Sequence, residues 1–212
     1  MPTIPSNVAV LQATDLRSTL ANGVLLHLPT LTIPAGLSLV QGGEGRGKTT
    51  LLRLLAGELP QQVGNMVLAD IDLHTQDAAY HRAVTWFDPR STDHDAHSAT
   101  AFFQTQSVRY PTWDTALLHE LVDALGLTAH VDKPLYMLST GSKRKVWLAA
   151  AFASGATLTL LDEPFAALDG ASTRALRELL TEVASHPRRA WLVADYQAPG
   201  QMPLALTVDL GD

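Results

Sequence analysis

Three features of the sequence predict an α/β fold. They are a glycine-rich loop set between a short apolar strand and a helix, an alternation of apolar strands and helices after Ser142, and a run of short strand-like segments ahead of the glycine-rich loop. Together they predict a core built on a parallel sheet, an antiparallel β-lobe packed beside it and an inserted α-helical stretch. Residues 1–212 are expected to form one domain, with the β-lobe and core over about 1–89 and 142–212 and a helical subdomain over about 90–141.

Taken in order, Asn7-Val8-Ala9-Val10-Leu11-Gln12-Ala13 and Val24-Leu25-Leu26-His27-Leu28 read as strands, with Ala21-Asn22-Gly23 turning into the second. Leu31-Thr32-Ile33 alternates and breaks at Pro34-Ala35-Gly36, and Leu37-Ser38-Leu39-Val40 is a short apolar strand. The stretch that follows, Gly42-Gly43-Glu44-Gly45-Arg46-Gly47-Lys48-Thr49-Thr50, satisfies the phosphate-binding pattern Gly-x4-Gly-Lys-[Ser/Thr] at every position. Its glycines let the backbone turn tightly enough to aim successive N–H groups at phosphate oxygens, and the helix starting near Lys48 adds its positive dipole end. Lys48 is then placed to reach the β- and γ-phosphates, and the Thr49 hydroxyl to ligate Mg²⁺, a hard ion that prefers oxygen. The helix runs from Thr50 to Ala56, with Gly57 closing it.

Beyond this helix, Asn65 to Ala69 and Ile71-Asp72-Leu73 add a pair of strands, and Ala83-Val84-Thr85-Trp86-Phe87 is one more, ending at Asp88-Pro89. Arg90 to Ser98 is polar and loop-like, whereas Ala99 to Val108 and Thr115 to Leu125 carry helical spacing, the second closed by Gly126. After Ser142 come a long apolar helix, a buried strand over Thr157 to Leu161, a helix from about Ala171 to Ser185, a strand over Ala190 to Ala194 and a final apolar segment, Leu204 to Leu210.

Composition bounds the function. Hydrophobic residues make up 46% and charged residues 17%, which describes a globular chain rather than a disordered one. A net charge of −6 leaves no broad basic surface, so no nucleic-acid partner is expected. There is no cysteine, which excludes disulfides and thiolate metal sites and fits a reducing cytoplasm. The N-terminus lacks the basic and apolar regions of a secretory signal, and Val146 to Leu161, interrupted by Ser154-Gly155, falls short of the ~20 residues a bilayer requires. If a membrane matters, another chain must span it.

Two further constellations carry chemistry. Leu160-Leu161-Asp162-Glu163-Pro164 ends an apolar strand in adjacent carboxylates, so Asp162 can hold the Mg²⁺ ligated by Thr49 while Glu163 orients the attacking water and accepts its proton. Leu138-Ser139-Thr140-Gly141-Ser142 precedes the helix Lys143 to Ala153, about twenty residues before that carboxylate pair. In this position it resembles the signature loop of ATP-binding cassette (ABC) ATPases, usually Leu-Ser-Gly-Gly-Gln, with Ser139 and Gly141 matching and Thr140 and Ser142 departing. Phe165-Ala166-Ala167-Leu168-Asp169 is similar to the D-loop of the same family, and the resemblance spans about Gln41 to Asp169 in the family's order.

The resemblance implies an ATPase that binds ATP and Mg²⁺, with nucleotide contacts from Gly42 through Thr50 of one chain and from Ser139, Thr140, Gly141 and Ser142 of its partner. Two chains, identical or not, would sandwich two ATP molecules head to tail and drive separate transmembrane permease subunits from the cytoplasmic face of the membrane. A soluble ABC-type ATPase acting as an ATP-gated clamp or regulator without transport is the alternative. Three departures from the family are visible. No aromatic residue precedes Tyr80 to stack on adenine, Asp88 stands where a glutamine normally touches the Mg²⁺ shell, and Asp195 or Tyr196 stands where the switch histidine is expected.

Other residues invite plainer readings. Asp93-His94-Asp95-Ala96-His97 has metal-like chemistry but reads as a solvated loop, and Lys143-Arg144-Lys145 as a solvated helix face. Tyr110-Pro111-Thr112-Trp113-Asp114 is similar to a stretch of some bacterial exporter-type ABC ATPases, or else is a turn with Asp114 as a helix cap. Phe102, Phe103, Tyr110 and Trp113 look exposed on the helical stretch and would offer a docking patch, although some must be core.

Overall fold

The computed structural model describes residues 8–19, 23, 25–59, 64–196, 200 and 202–211. Asn7, Ala21, Asn22 and Val24, which the sequence assigns to strands and a turn, lie outside the described residues.

The β-lobe forms because its strands alternate. Strand β1 (Ala9–Thr19) buries Leu11, Ala13 and Leu16, and pairs antiparallel with β2 (Leu25–Pro34) on one side and β4 (Asn65–Leu68) on the other. A short β5 (Ile71–Asp72) completes a four-stranded sheet of order β2-β1-β4-β5. The sequence suggests separate segments over Val24–Leu28 and Leu31–Ile33, but the structure runs one strand through both. It can do so because β2 is an edge strand, where a proline is tolerated, and the register runs on unchanged across Pro29, with Asp15 between Thr14 and Leu16 at φ 52.

The lobe hands over to the core at Gly36, whose φ of +95 and 2.3 Å clearance between an added Cβ and the Ala184 carbonyl oxygen leave room for no side chain. From there β3 (Gly36–Gln41) enters a five-stranded sheet of order β6-β7-β8-β3-β9, formed with β6 (Val84–Trp86), β7 (Leu158–Asp162), β8 (Ala190–Ala194) and β9 (Leu206–Asp209). All of its pairings are parallel. β3, β6, β7 and β8 are buried almost throughout because both faces are covered, whereas the edge strand β9 alternates between half-buried and exposed residues. Val40, Leu160 and Leu192 pack toward the β-lobe and α1 (Lys48–Leu55), while Leu39, Leu161 and Val193 pack toward the helices that follow.

A helix that the sequence pattern does not show is α2 (Asp77–Ala83). It buries only Tyr80, whose hydroxyl donates to the Leu55 carbonyl at 2.8 Å, so no apolar periodicity announces it. The expected helices are α3 (Ala99–Arg109) and α4 (Thr115–Ala124), capped by the side chains of Ser98 and Asp114, and Gly126 ends the second at φ 66. Helix α5 (Thr140–Ala153) carries the apolar run Val146 to Ala153, every residue of it buried, and α6 (Gly170–Val183) follows β7.

The aromatic residues of the helical stretch are core rather than surface. Phe102 is 1%, Phe103 5% and Tyr110 0% exposed, and Phe102 lies edge-on to Trp147 with ring centroids 4.6 Å apart. Only Trp113 is partly exposed. Among the described residues no helix is long and apolar enough to cross a membrane.

Candidate nucleotide site

Register in a parallel sheet places the site. Val40 of β3 and Asp162 of β7 both pair with Ala194 of β8, so the glycine-rich loop, the carboxylate pair and Asp195-Tyr196 all leave the sheet at one edge, beyond the carboxyl ends of its strands. Between β3 and α1 the loop turns on Gly45 at φ 72 and Gly47 at φ 97, both left-handed. Gly42 approaches the chain's last described residues so closely that a Cβ there would stand 3.1 Å from the Gly211 carbonyl oxygen, and Gly43 donates its N–H to the same oxygen.

Lys48 begins α1 and is 6% exposed, its ammonium donating to the carbonyls of Gly42 at 2.7 Å and Gly43 at 3.0 Å. The Tyr196 ring covers the same ammonium, with its centroid 4.0 Å from Nζ. Next to it the Thr49 hydroxyl donates to Asp162 Oδ2 at 2.7 Å. Burial, and after it the negative charge of Glu163, push the Asp162 carboxyl above its ordinary range against the opposing Thr49 bond. Its second oxygen, Oδ1, is buried and takes no hydrogen bond. An unpartnered carboxylate oxygen beside a threonine hydroxyl is the donor set a hard divalent cation selects, so the residues present fit Mg²⁺.

Glu163 follows with φ 42, a conformation costly for a residue with a Cβ, and its N–H donates to the Ala194 carbonyl at 2.8 Å. Together Glu44, Gly45, Arg46, Gly47, Lys48, Thr49, Thr50, Glu163, Tyr196 and Arg90 line an open cleft of about 370 Å³. Of the pair after β8, Tyr196 faces this cleft. Asp195 is half-buried, and its carboxylate accepts from the Tyr196 N–H at 2.7 Å.

Asp88 does not line the cleft. Its carboxylate accepts the Arg90 N–H at 2.9 Å and it borders an adjacent groove, so the residue this loop contributes to the phosphate-binding cleft is Arg90. Sequence reasoning missed it because a lone arginine in a polar loop carries no pattern.

Ser139, Thr140, Gly141 and Ser142 also lie outside the cleft. Ser139 caps α5, accepting from the Ser142 N–H at 3.1 Å, and both Ser139 and Thr140 are exposed. Behind them the helix is fastened to the segment after β7. Gly141 is packed against the Ala167 carbonyl, and Lys145 pairs with Asp169 at 2.6 Å. Arg144 donates to the carbonyls of Asp162 at 3.0 Å and Glu163 at 2.6 Å.

Lys143-Arg144-Lys145 is therefore not a solvated face. Lys143 pairs with Asp95, Arg144 holds the two carbonyls at the end of β7, and Lys145 pairs with Asp169, which the Ser172 N–H and hydroxyl also bond. The Asp93 to His97 loop is likewise structural. Asp95 takes Lys143 and His94 packs against Phe102, with centroids 4.9 Å apart.

A glycine-rich loop between strand and helix, a buried lysine at its end and a threonine bonded to a strand-end aspartate define a P-loop nucleoside triphosphatase. The comparisons with known proteins narrow the class. Residues 27–166 match the family model described as ABC transporter. The cytochrome c biogenesis ATP-binding export protein CcmA of Pseudomonas syringae is 34% identical over 184 residues, covering 83% of each chain, and that of Salmonella typhi is 31% identical over 87% of each. The chain belongs to the ABC transporter family, as an ATP-binding, ATP-hydrolysing transporter subunit. The fold agrees with an ABC transporter ATP-binding protein from Pyrococcus furiosus, at TM-score 0.73 and 20% identity over 94% of this chain and 96% of that one. An ATP-binding subunit of an ABC transporter gives 0.76 at 20% identity, over 87% and 79%.

Proposed function

We propose that the chain works in a head-to-tail pair, with Mg²⁺-ATP held between the phosphate loop of one copy and the Ser139–Ser142 turn of the other, and that the pair drives transmembrane permease subunits from the cytoplasmic face of a membrane. The observation that carries this reading is the position of Ser139 and Thr140. They stand exposed at a helix N-terminus outside their own chain's cleft, so a nucleotide they touch has to be held by another chain. The partner half is either a second copy or a related subunit.

In this mechanism the loop N–H groups from Gly42 to Thr50 hold the phosphates, and Lys48 turns its ammonium from the Gly42 and Gly43 carbonyls onto the β- and γ-phosphates. Thr49 and Asp162 would hold Mg²⁺, which when bound offsets charge on the β- and γ-oxygens. Glu163 orients a water in line with the γ-phosphorus and takes its proton as the bond from phosphorus to the β-bridging oxygen breaks, leaving ADP and phosphate. Asp88, which borders the adjacent groove, is a poorer candidate for the ion's shell than the Thr49–Asp162 pair.

That groove, about 440 Å³ and lined in part by Trp86, Phe87, His94, Gln106 and Arg109, supports a seat for a permease segment. The relatives named above are export proteins of cytochrome c biogenesis, which favours export over import here.

Light scattering of the Glu163→Gln chain tests the pairing. Mg²⁺-ATP should double its mass, and adding Ser139→Arg or Lys48→Ala should restore the monomer. A Glu163→Gln chain that binds ATP and stays monomeric at all concentrations refutes the sandwich.

A further inference from the structure

We propose that Arg90 is a ligand of the terminal phosphate, supplied by the loop after β6, and that its charge lets this cleft distinguish ATP from ADP. The proposal rests on the ATPase reading above and assigns one residue within it.

The argument starts from the backbone. Asp88 is committed to the turn, its carboxylate accepting from the Arg90 N–H at 2.9 Å and its carbonyl from the Ser91 N–H at 3.1 Å, and Pro89 between them has its φ fixed by its ring. The turn therefore presents the side chain of residue 90, and Arg90 lines the same cleft as Glu163, Tyr196 and the phosphate loop. The N–H groups of that loop and Lys48 account for the phosphates nearest the chain. What projects beyond a bound diphosphate meets the part of the cleft wall that the loop does not supply, Arg90 and Glu163 among it.

Charge gives the wall its problem. Glu163 has to face the γ-phosphate to act on water, and Glu44 lines the same cleft, so anionic side chains confront an anionic group. Lys48 is a compact ammonium already shared between phosphates. A guanidinium, with its planar fork of N–H donors, matches two phosphate oxygens at once and supplies the missing positive charge on the Glu163 side. Arg90 is free to do so. The arginines and lysines paired with carboxylates among the described residues are Arg17, Arg53, Lys143 and Lys145, and Arg90 is in none of those pairs and is exposed.

Calorimetric titration with Mg²⁺ and either ADP or a non-hydrolysable ATP analogue tests the assignment, alongside single-turnover hydrolysis of ATP. Arg90→Ala should weaken the analogue by about tenfold or more and leave ADP unchanged, as expected for losing one hydrogen-bonded charge contact. The single-turnover rate should fall by about ten- to a hundredfold. Arg90→Lys should recover part of both losses and Arg90→Gln neither, which separates charge from mere bulk. An Arg90→Ala chain that prefers the analogue as strongly as wild type does, or that loses both ligands equally, overturns the role of Arg90 while the ATPase reading stands. Wild-type protein that binds neither nucleotide overturns the ATPase reading itself.

Discussion

Gly141→Ala is the substitution whose effect can be worked most directly from distances. An alanine Cβ at this position would lie 2.3 Å from the Ala167 carbonyl oxygen, against the 3.4 Å at which ordinary contact begins, so helix and loop must part by about 1 Å. Neither side gives easily. Gly141 is buried in the first turn of α5, and Ala167 already sits at φ 60, two residues before Asp169 anchors α6. Overpacking of this kind costs about 1–3 kcal/mol, and the helix preference of alanine over glycine returns at most about 1 kcal/mol. With that full return, a net loss of up to about 2 kcal/mol lowers the midpoint of a chain this size by as much as roughly 8 °C. Scanning calorimetry of the nucleotide-free protein measures it, with Thr140→Ala, one exposed residue away, as the control expected to stay within about 0.5 kcal/mol. Turnover should fall with stability in Gly141→Ala, because the same displacement moves the segment that carries Glu163. A Gly141→Ala chain that melts at or above wild type, with turnover intact, refutes the claim that signature helix and catalytic strand are locked together at this contact.

Other expectations follow from the same geometry. Glu163→Gln keeps the shape of the side chain but loses the base, so turnover should drop by about a hundredfold or more while ATP still binds; a stopped-flow assay with unchanged turnover would remove Glu163 from the chemistry. The Asp162 carboxyl is raised by burial, so its ionised form costs the empty fold stability at neutral pH, a cost relieved as pH falls through the raised value. Asp162→Asn should accordingly raise the melting temperature of the nucleotide-free chain and abolish the extra stabilisation by Mg²⁺-ATP, and a lowered apo midpoint argues against this. Tyr196→Phe preserves the ring over Lys48 and removes only the hydroxyl; if the phenol donates to the γ-phosphate, single-turnover hydrolysis falls by about ten- to a hundredfold with ADP affinity unchanged. Asp169 is held well below the ordinary carboxylate range, chiefly by the bond from Lys145 and then by the Ser172 N–H, so its contribution to stability is present above pH 4 or so and is lost as pH falls through the depressed value. Lys145→Met should move the Asp169 carboxyl titration upward by NMR, and an unmoved titration means the pair does not persist in solution.

The fold was legible wherever one period dominated. The central strands β3 and β8 are buried on both faces, and the assignments at Ala190–Ala194 and Leu37–Val40 differ from the structure by at most a residue at an end. Helices α3 and α4 carry their own caps, Ser98 and Asp114, and were legible for that reason. Helix α2 was not, because a helix of seven residues that buries a single tyrosine has no stripe to read. The aromatics of the helical stretch misled for a different cause. Their spacing is compatible with a surface patch, and Phe102 is buried by residues brought to it from elsewhere in the chain, Phe87, His94 and, far along the chain, Trp147 of α5.

The site divides along the same line between local pattern and long-range contact. A phosphate loop is legible because backbone shape demands glycine at fixed offsets, and the strand-end carboxylates because an apolar run stops at them. The ties of α5 to the segment after β7 follow no such rule: three consecutive cations look like a solvated face until Asp95, the carbonyls of Asp162 and Glu163, and Asp169 are brought to them from three directions. Their chemistry explains why cations stand there. Glu163 departs from strand geometry at φ 42, and the half-buried guanidinium of Arg144 satisfies the carbonyls of both Asp162 and Glu163 with one planar group. Arg144 thus fixes the peptide on either side of Glu163, the proposed base, from the helix whose leading residues, Ser139 and Thr140, are exposed. In the proposed pair, a displacement of that turn would have a short covalent and hydrogen-bonded route to Glu163, of one helical turn and the Arg144 side chain, without passing through the phosphate loop at all.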